Sequence, residues 1–368
     1  MRAFASLLSM LLATPLSGCV VMRGPVAPQR ARNAAPASGL MGEADEIIAA
    51  LGSGQLDRMV DRMTPRLREH LPVTTLHAAT EQLREAYGTP KGIMEEQLQK
   101  EGALTWYSAL VVYSAPKRAS NGRDVLTPVL VQFALTPDRR MERLLVREHW
   151  YIEDLRAPAE RYVPVTRFHV PASGAWTLSA GGPTRELNAH HGSESQRFAY
   201  DLVLVRDGKF RRPGDDPNTN EAYYGYGQPL RAPASGTVLR VVDGIPDNLP
   251  PTRGKAGGNG LVIDHGFGEV SSMWHARPGS LRVSVGDRVE AGQTVAEVGN
   301  SSRSTGAHIH IHVTHGDGGI ALPAPLVDVA VDGQGQDHAL PIKGQRVEAL
   351  APLSAPEITA GPRIFLDV

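Results

Sequence analysis

Thr305-Gly306-Ala307-His308-Ile309-His310-Ile311-His312 is the stretch from which the fold and the chemistry of this chain are read. Isoleucines at 309 and 311 alternate with histidines at 308, 310 and 312. A period of two is that of a strand with one face in a core. His308 and His310 then point the same way, and His312 shares the face of His310 if the strand is regular. Two imidazoles on one rigid face provide one metal ligand and one acid/base group. Upstream stand the pair His190-His191 and a lone acid, Asp201, in a segment whose Phe198, Tyr200, Leu202 and Leu204 alternate as core. Together these residues point to a metal-dependent hydrolase.

Working outward, the texture from about residue 165 is of short strands between glycine turns. Arg231-Ala232-Pro233-Ala234-Ser235-Gly236-Thr237-Val238 reads as a turn into a strand, and Gly260–His265 as another strand. Val285-Gly286-Asp287-Arg288-Val289 and Ala291-Gly292-Gln293-Thr294-Val295 are paired turns. This pattern fits a mainly-β domain, an antiparallel sandwich or half-barrel. Eight of the thirteen histidines fall between residues 190 and 315, a concentration that favours a site.

Taken in order, Asp201, the Ala232–Val238 turn, His265-Gly266, Trp274-His275, the Val285–Val289 turn and Ser304–His310 resemble the LytM/lysostaphin-type zinc peptidases, the M23 peptidases. The resemblance covers roughly residues 165–335. It implies a zinc ion, Zn2+, held by His310, Asp201 and one more histidine. It also implies His308 as the base and His275 as the group that orients water or stabilises the developing oxyanion. The family's usual His-x-x-x-Asp spacing is broken here by Arg197, four residues before Asp201. Similarity to a branch with a longer spacing favours His190 over His191 as the first ligand. The implied substrate is the peptide cross-link of bacterial peptidoglycan. Histidine and carboxylate donors suit zinc better than magnesium or calcium.

Other histidines have plainer readings. His265 satisfies a turn, His315 is exposed, and His77 and His149 are surface or packing residues. His312 reads as packing or surface, with support of His310 as the other reading. Tyr223, Tyr224 and Tyr226 lie in a Gly-containing loop that either lines a groove or moves freely.

Residues 41–160 read as a small α+β domain. Ala44, Ile47, Ile48 and Leu51 repeat at helical spacing, continued by Leu56, Met59, Val60 and Met63 up to Pro65. Leu76, Leu83 and Tyr87 mark another helix ended by Gly88. Strands follow at 104–113, 125–135 and 141–152. Helices followed by a strand meander resemble the curved-sheet cone of nuclear-transport-factor-like domains, and imply a spacing, docking or autoinhibitory role. The tail 336–368, with Pro341, Gly344, Pro352 and Pro356, has little period.

Residues 1–19 read as an export signal: Arg2, an apolar run, and Leu16-Ser17-Gly18-Cys19, which looks like a bacterial lipobox. Cys19 is the single cysteine, which excludes an internal disulfide framework. Lipid on Cys19 implies a membrane anchor, with residues 20–40 as a Pro- and Ala-rich tether. Val20 follows the cysteine, which favours the outer membrane, facing the periplasm, in a Gram-negative cell. With 38 basic and 39 acidic residues the net charge is −1, so nucleic acid is not a bulk electrostatic partner.

Two competing functions belong to other classes. One is a degenerate relative that has lost catalysis and activates a separate cell-wall amidase as a regulatory partner. The other is a lipoyl- or biotinyl-carrier-like module, which needs a lysine at a hairpin tip; none stands in 283–298.

Overall fold

The computed structural model describes residues 39–115, 128–149, 162–255 and 257–350, and the backbone of short segments at 30–31, 117–118 and 124–125. The export segment with Cys19, and nearly all of the tether, lie outside the described residues. Among the described residues no helix is long and apolar enough to cross a membrane.

Among its described residues the N-terminal unit has four helices, α1 (Leu40–Ser53), α2 (Asp57–Arg62), α3 (Pro65–His70) and α4 (Val73–Tyr87). Pro65 does more than interrupt: it starts α3 at a position whose N–H is dispensable, and Thr64 caps that turn through the Leu67 amide at 3.1 Å. The strands are β1 (Arg30–Ala31), β2 (Pro90–Glu101), β3 (Leu104–Tyr113), β4 (Lys117–Arg118), β5 (Asp124–Val125), β6 (Val129–Leu135) and β7 (Met141–Glu148). The sheet runs β1-β2-β3-β6-β7, with β4 and β5 a separate pair.

The strand β2 has no strand pattern in sequence. Glu95-Glu96-Gln97-Leu98-Gln99-Lys100 is a run of good helix formers. It is extended because it pairs along its length with β3, a ladder that satisfies the backbone groups along that edge.

The strand β6, Val-Leu-Val-Gln-Phe-Ala-Leu, is buried on both faces. Val129, Val131, Phe133 and Leu135 pack under the helices with Ile47, Ile48, Leu76 and Leu83. Leu130 faces the other way, into a cluster with Leu110, Val165 and Phe267 that joins the two halves of the chain.

The C-terminal unit is mainly β, and all its ladders are antiparallel. Its strands are β8 (Ala175–Ala180), β9 (Tyr200–Val203), β10 (Pro229–Arg231), β11 (Gly236–Val242), β12 (Gly260–Asp264), β13 (Glu269–Trp274), β14 (Arg288–Val289), β15 (Thr294–Glu297), β16 (Ile309–His315), β17 (Ala321–Leu322), β18 (Leu326–Val331), β19 (Gln334–Ala339) and β20 (Arg346–Ala349). The main sheet runs β14-β11-β12-β13-β16-β9-β8-β20-β18-β19, with β17 beside β16, and β10 pairs β15 apart from it. Ile309 and Ile311 of β16 enter a core with Met273, Leu261, Val295 and Trp176, so His310 and His312, which alternate with them, take the opposite face of the sheet. The sheet does not stop near residue 335: β20 pairs both β18 and β8, so the tail to Ala349 is part of the fold.

The linker is keyed to both units. Buried Glu269, at the start of β13, accepts from the Tyr162 hydroxyl at 2.5 Å and from the Val165 and Thr166 amides at 2.7 Å. Arg167 reaches Glu101 of β2 at 3.0 Å and Asp328 of β18 at 2.6 Å. Its guanidinium lies 4.1 Å from the Trp106 ring centroid. A cation shared between two carboxylates fixes the orientation of the units more firmly than a surface pair would.

His265 is buried, donates from Nδ1 to the Ser235 carbonyl at 2.8 Å and lies 2.7 Å from the Ser271 hydroxyl. Burial pushes this imidazole down to about 4. The unfolded chain therefore binds a proton that the folded chain refuses, and the stabilisation is full above about pH 6.5 and is lost as pH falls toward 4. Stability is expected to drop by about 2 kcal/mol from this residue alone between pH 7.5 and 5. Urea unfolding of the wild type and His265→Asn at both pH values checks this. The variant, which keeps a donor for Ser235, should lose that much less on acidification.

Candidate active site

The two central ladders of the main sheet assemble the site. The strand β16 is flanked by β13 on one side and β9 on the other, with Trp274 opposite His310 and His310 opposite Asp201. Directly paired residues project to the same face, so the register alone sets Asp201 beside His310. Asp201 Oδ1 lies 2.8 Å from His310 Nδ1.

His190 arrives from a loop. Asn188, which is buried, accepts from the His190 amide at 2.9 Å and donates to the carbonyls of Arg197 and Ala199, both at 3.1 Å. That side chain folds the ten residues between His190 and Asp201 back on themselves, an Asx-turn closing a loop. His190 Nε2 then lies 2.9 Å from Asp201 Oδ2. His190, and not His191, meets the acid. The ligand-capable atoms of His190, Asp201 and His310 lie within 4.8 Å of one another, and among the described residues they form the one group of this kind. Arg197, at the position of the missing ligand, lies instead over the Phe198 ring.

Electrostatics follow from this packing. Burial alone would raise the Asp201 carboxyl, but hydrogen bonds to His190 and His310 outweigh it and hold it well below the usual carboxylate range. Burial lowers the His190 imidazole, but its bond to Asp201 wins and raises it.

His308 and His275 flank the group. His308 Nδ1 is 2.9 Å from the Gly306 carbonyl. A carbonyl only accepts, so Nδ1 carries a proton, and in the neutral ring the lone pair is on Nε2. That Nε2 lies 3.8 Å from Asp201 Oδ1, facing the cluster. Gly306 has no side chain because the Tyr223 ring occupies the place: an added Cβ would stand 2.5 Å from Tyr223 Cε1. Tyr223 thus packs against the turn that leads to His308, and Phe210 lies beside it, with ring centroids 5.9 Å apart.

His275 follows β13 in a left-handed conformation, φ 70°, unusual for a residue with a side chain. Its ring centroid is 4.6 Å from that of His308 and 5.7 Å from that of His310. Its Nδ1 donates to the Ser301 carbonyl at 2.7 Å. Burial, with His308 and His310 adding to it, holds this imidazole well below its ordinary value. With Nδ1 protonated and the ring neutral, Nε2 is an acceptor suited to orienting water. Stabilising an oxyanion would require a second proton there, against that burial.

The loop 299–306 that carries Ser301 and leads to His308 is held by asparagines. Asn248 donates to the carbonyls of Asn300, Ser302 and Ser304 at 2.7, 2.6 and 2.9 Å. Asn300 bonds Asn220 at 2.9 Å, and the Asn259 amide donates to the Ser301 hydroxyl at 3.0 Å. Sequence reasoning passed over all of them. Their signal was asparagine recurring in otherwise glycine-rich loops.

His312 does not lie on the surface. It is 7% exposed, and its Nδ1 is 3.0 Å from His310 Nε2. His265 and His149 are buried in packing roles away from the cluster, with His149 edge-on to Tyr162.

Residues 221–321 match the sequence profile of peptidase family M23. A comparison with curated proteins found no match. Among solved structures, a mutant catalytic domain of the prophage-encoded M23 protein EnpA from Enterococcus faecalis is 19% identical. The match covers 43% of this chain and 95% of that one, with a TM-score of 0.29. The catalytic domain of lysostaphin from Staphylococcus simulans is 17% identical over 45% and 88%, with a TM-score of 0.23. A zinc-containing peptidase from Vibrio cholerae is 14% identical over 74% and 94%, with a TM-score of 0.28.

Proposed function

We propose that this chain, which carries an M23 peptidase region, is a zinc metalloendopeptidase that hydrolyses the peptide cross-links of bacterial peptidoglycan. The observation that carries the reading is the convergence of His190 Nε2, Asp201 and His310 Nδ1, with His308 facing them through Nε2 and anchored through Nδ1. A zinc ion with bonds of about 2.0–2.1 Å sets tetrahedral ligand atoms about 3.3 Å apart. Here the imidazole nitrogens stand 2.9 and 2.8 Å from the two carboxylate oxygens, and the ligand atoms all lie within 4.8 Å of one another, a donor set that fits one such ion.

Zinc held there supplies Lewis acidity to a scissile carbonyl and makes a water easier to deprotonate. The rest belongs to the chain. His308 Nε2 takes the proton from the attacking water, while its Nδ1–H stays anchored on Gly306. The same nitrogen then hands that proton to the leaving amine. His275 Nε2 accepts from the water and fixes the direction of its attack. Asp201 keeps its charge through the cycle because the two imidazoles beside it stabilise the ionised form.

The activator reading fits a chain that has lost a ligand or the base; the presence and convergence of all four side chains favour the peptidase. The substrate and the location rest on family resemblance and on the Cys19 lipobox. We read the protein as extracytoplasmic and lipid-anchored, acting on peptide stems from the outer membrane of a Gram-negative cell. Chromatography of sacculi digested by the zinc-supplied full chain tests this against His310→Ala. Cross-linked dimers are expected to become monomers only with the intact site. Intact dimers in both digests, with no zinc bound by the wild type, would hand the lead to the activator reading.

A further inference from the structure

His310 has two ring nitrogens and both are engaged. Nδ1 faces Asp201 at 2.8 Å, inside the ligand cluster, and Nε2 faces Nδ1 of His312 at 3.0 Å. An imidazole that gives one lone pair to a metal carries its proton on the other nitrogen. That buried N–H needs an acceptor, and leaving it without one is costly. The nitrogen in place is Nδ1 of His312, so His312 must hold its own proton on Nε2.

The sheet, rather than a loop, fixes this contact. His310 and His312 are alternate residues of β16, paired to Trp274 and Ser272 on β13. They are 3% and 7% exposed, and their ring centroids are 5.2 Å apart at an interplanar angle of 64°. Neither ring can turn without breaking its bond to the other or to Asp201.

We propose that His312 is a positioning residue for the metal ligand His310: its Nδ1 accepts the Nε2 proton and so selects the tautomer and the ring plane that turn Nδ1 to the metal. The proposal rests on the metal-centre reading above. It has a chemical consequence. A carboxylate behind a ligating histidine would add a negative charge to the site and raise the basicity of the ligand. A neutral imidazole acceptor orients the ring without adding charge. Asp201 then remains the one anion among the four residues that hold or orient the ion.

The test compares full-length wild type, His312→Phe and His312→Asn by zinc competition against a fluorescent chelator. Phenylalanine keeps a ring and deletes the acceptor; the Oδ1 of asparagine falls where Nδ1 of histidine lies. The phenylalanine variant is expected to lose about 10–100-fold in zinc affinity, and asparagine to return to within about threefold of wild type. Equal affinity in wild type and His312→Phe overturns the proposal while the metal reading stands. A wild type that takes up no zinc overturns both. Nitrogen NMR of the zinc-loaded wild type decides the matter even if the phenylalanine variant does not fold. His312 protonated on Nε2 supports the proposal, and His312 protonated on Nδ1 overturns it.

Discussion

Asp201→Asn is expected to lower zinc affinity by more than about 100-fold, since losing even a partner behind a ligand costs about 10–100-fold. Peptidase activity goes with the metal. The substitution conserves shape and removes only the charge, and the charge is what His190 and His310 converge on. Without it the two imidazoles no longer share an anion, and the upward pull on His190 disappears. An amide oxygen also makes a poorer zinc ligand than a carboxylate. Isothermal titration with zinc, beside a sacculus digestion, reads both effects. A variant that binds zinc like the wild type would remove Asp201 from the ligand set.

His308→Ala is expected to separate chemistry from metal binding. Activity should fall about 10²–10⁴-fold, the usual contribution of a positioned acid/base group. Zinc affinity should stay close to wild type, because His308 is not one of the three residues whose ligand atoms cluster. His308 Nε2 stands 3.8 Å from Asp201 Oδ1, further out than either neighbouring imidazole. The measurement is a pair: stoichiometric zinc by elemental analysis, and turnover on a cross-linked muropeptide. Loss of zinc in His308→Ala would make it a ligand and leave the base to be found elsewhere. Full activity would end its role in catalysis.

Parts of this architecture were legible in the residues. The alternation Ile309-His310-Ile311-His312 gave both the strand and its functional face, because a period of two can serve only an extended chain with one buried side. The helical spacing at 44–51 and 76–87 corresponds to α1 and α4. Other parts were hidden for physical reasons. The strand β2 is made of helix formers and is extended only because β3 lies beside it. The strand β20 lies in a tail with little period and gains order from partners at β8 and β18, the first of them about 170 positions back. His312 looked like surface because its spacing says which face it takes, but not what covers that face.

The sequence by itself determined the local terms: strand period, turn chemistry, a histidine cluster with one lone acid, and the absence of any lysine suited to a carrier. These depend on neighbours a few residues apart, which the order of residues states directly. Only the tertiary structure decided which of His190 and His191 reaches Asp201, which nitrogen of His308 and His275 is anchored on a carbonyl, and what stands behind His310. Those depend on ring orientation and hydrogen-bond direction between strands and loops brought together from 109 positions apart, as His310 and Asp201 are. Chain order carries no such angle; a ladder register, a buried asparagine and a carbonyl that can only accept do.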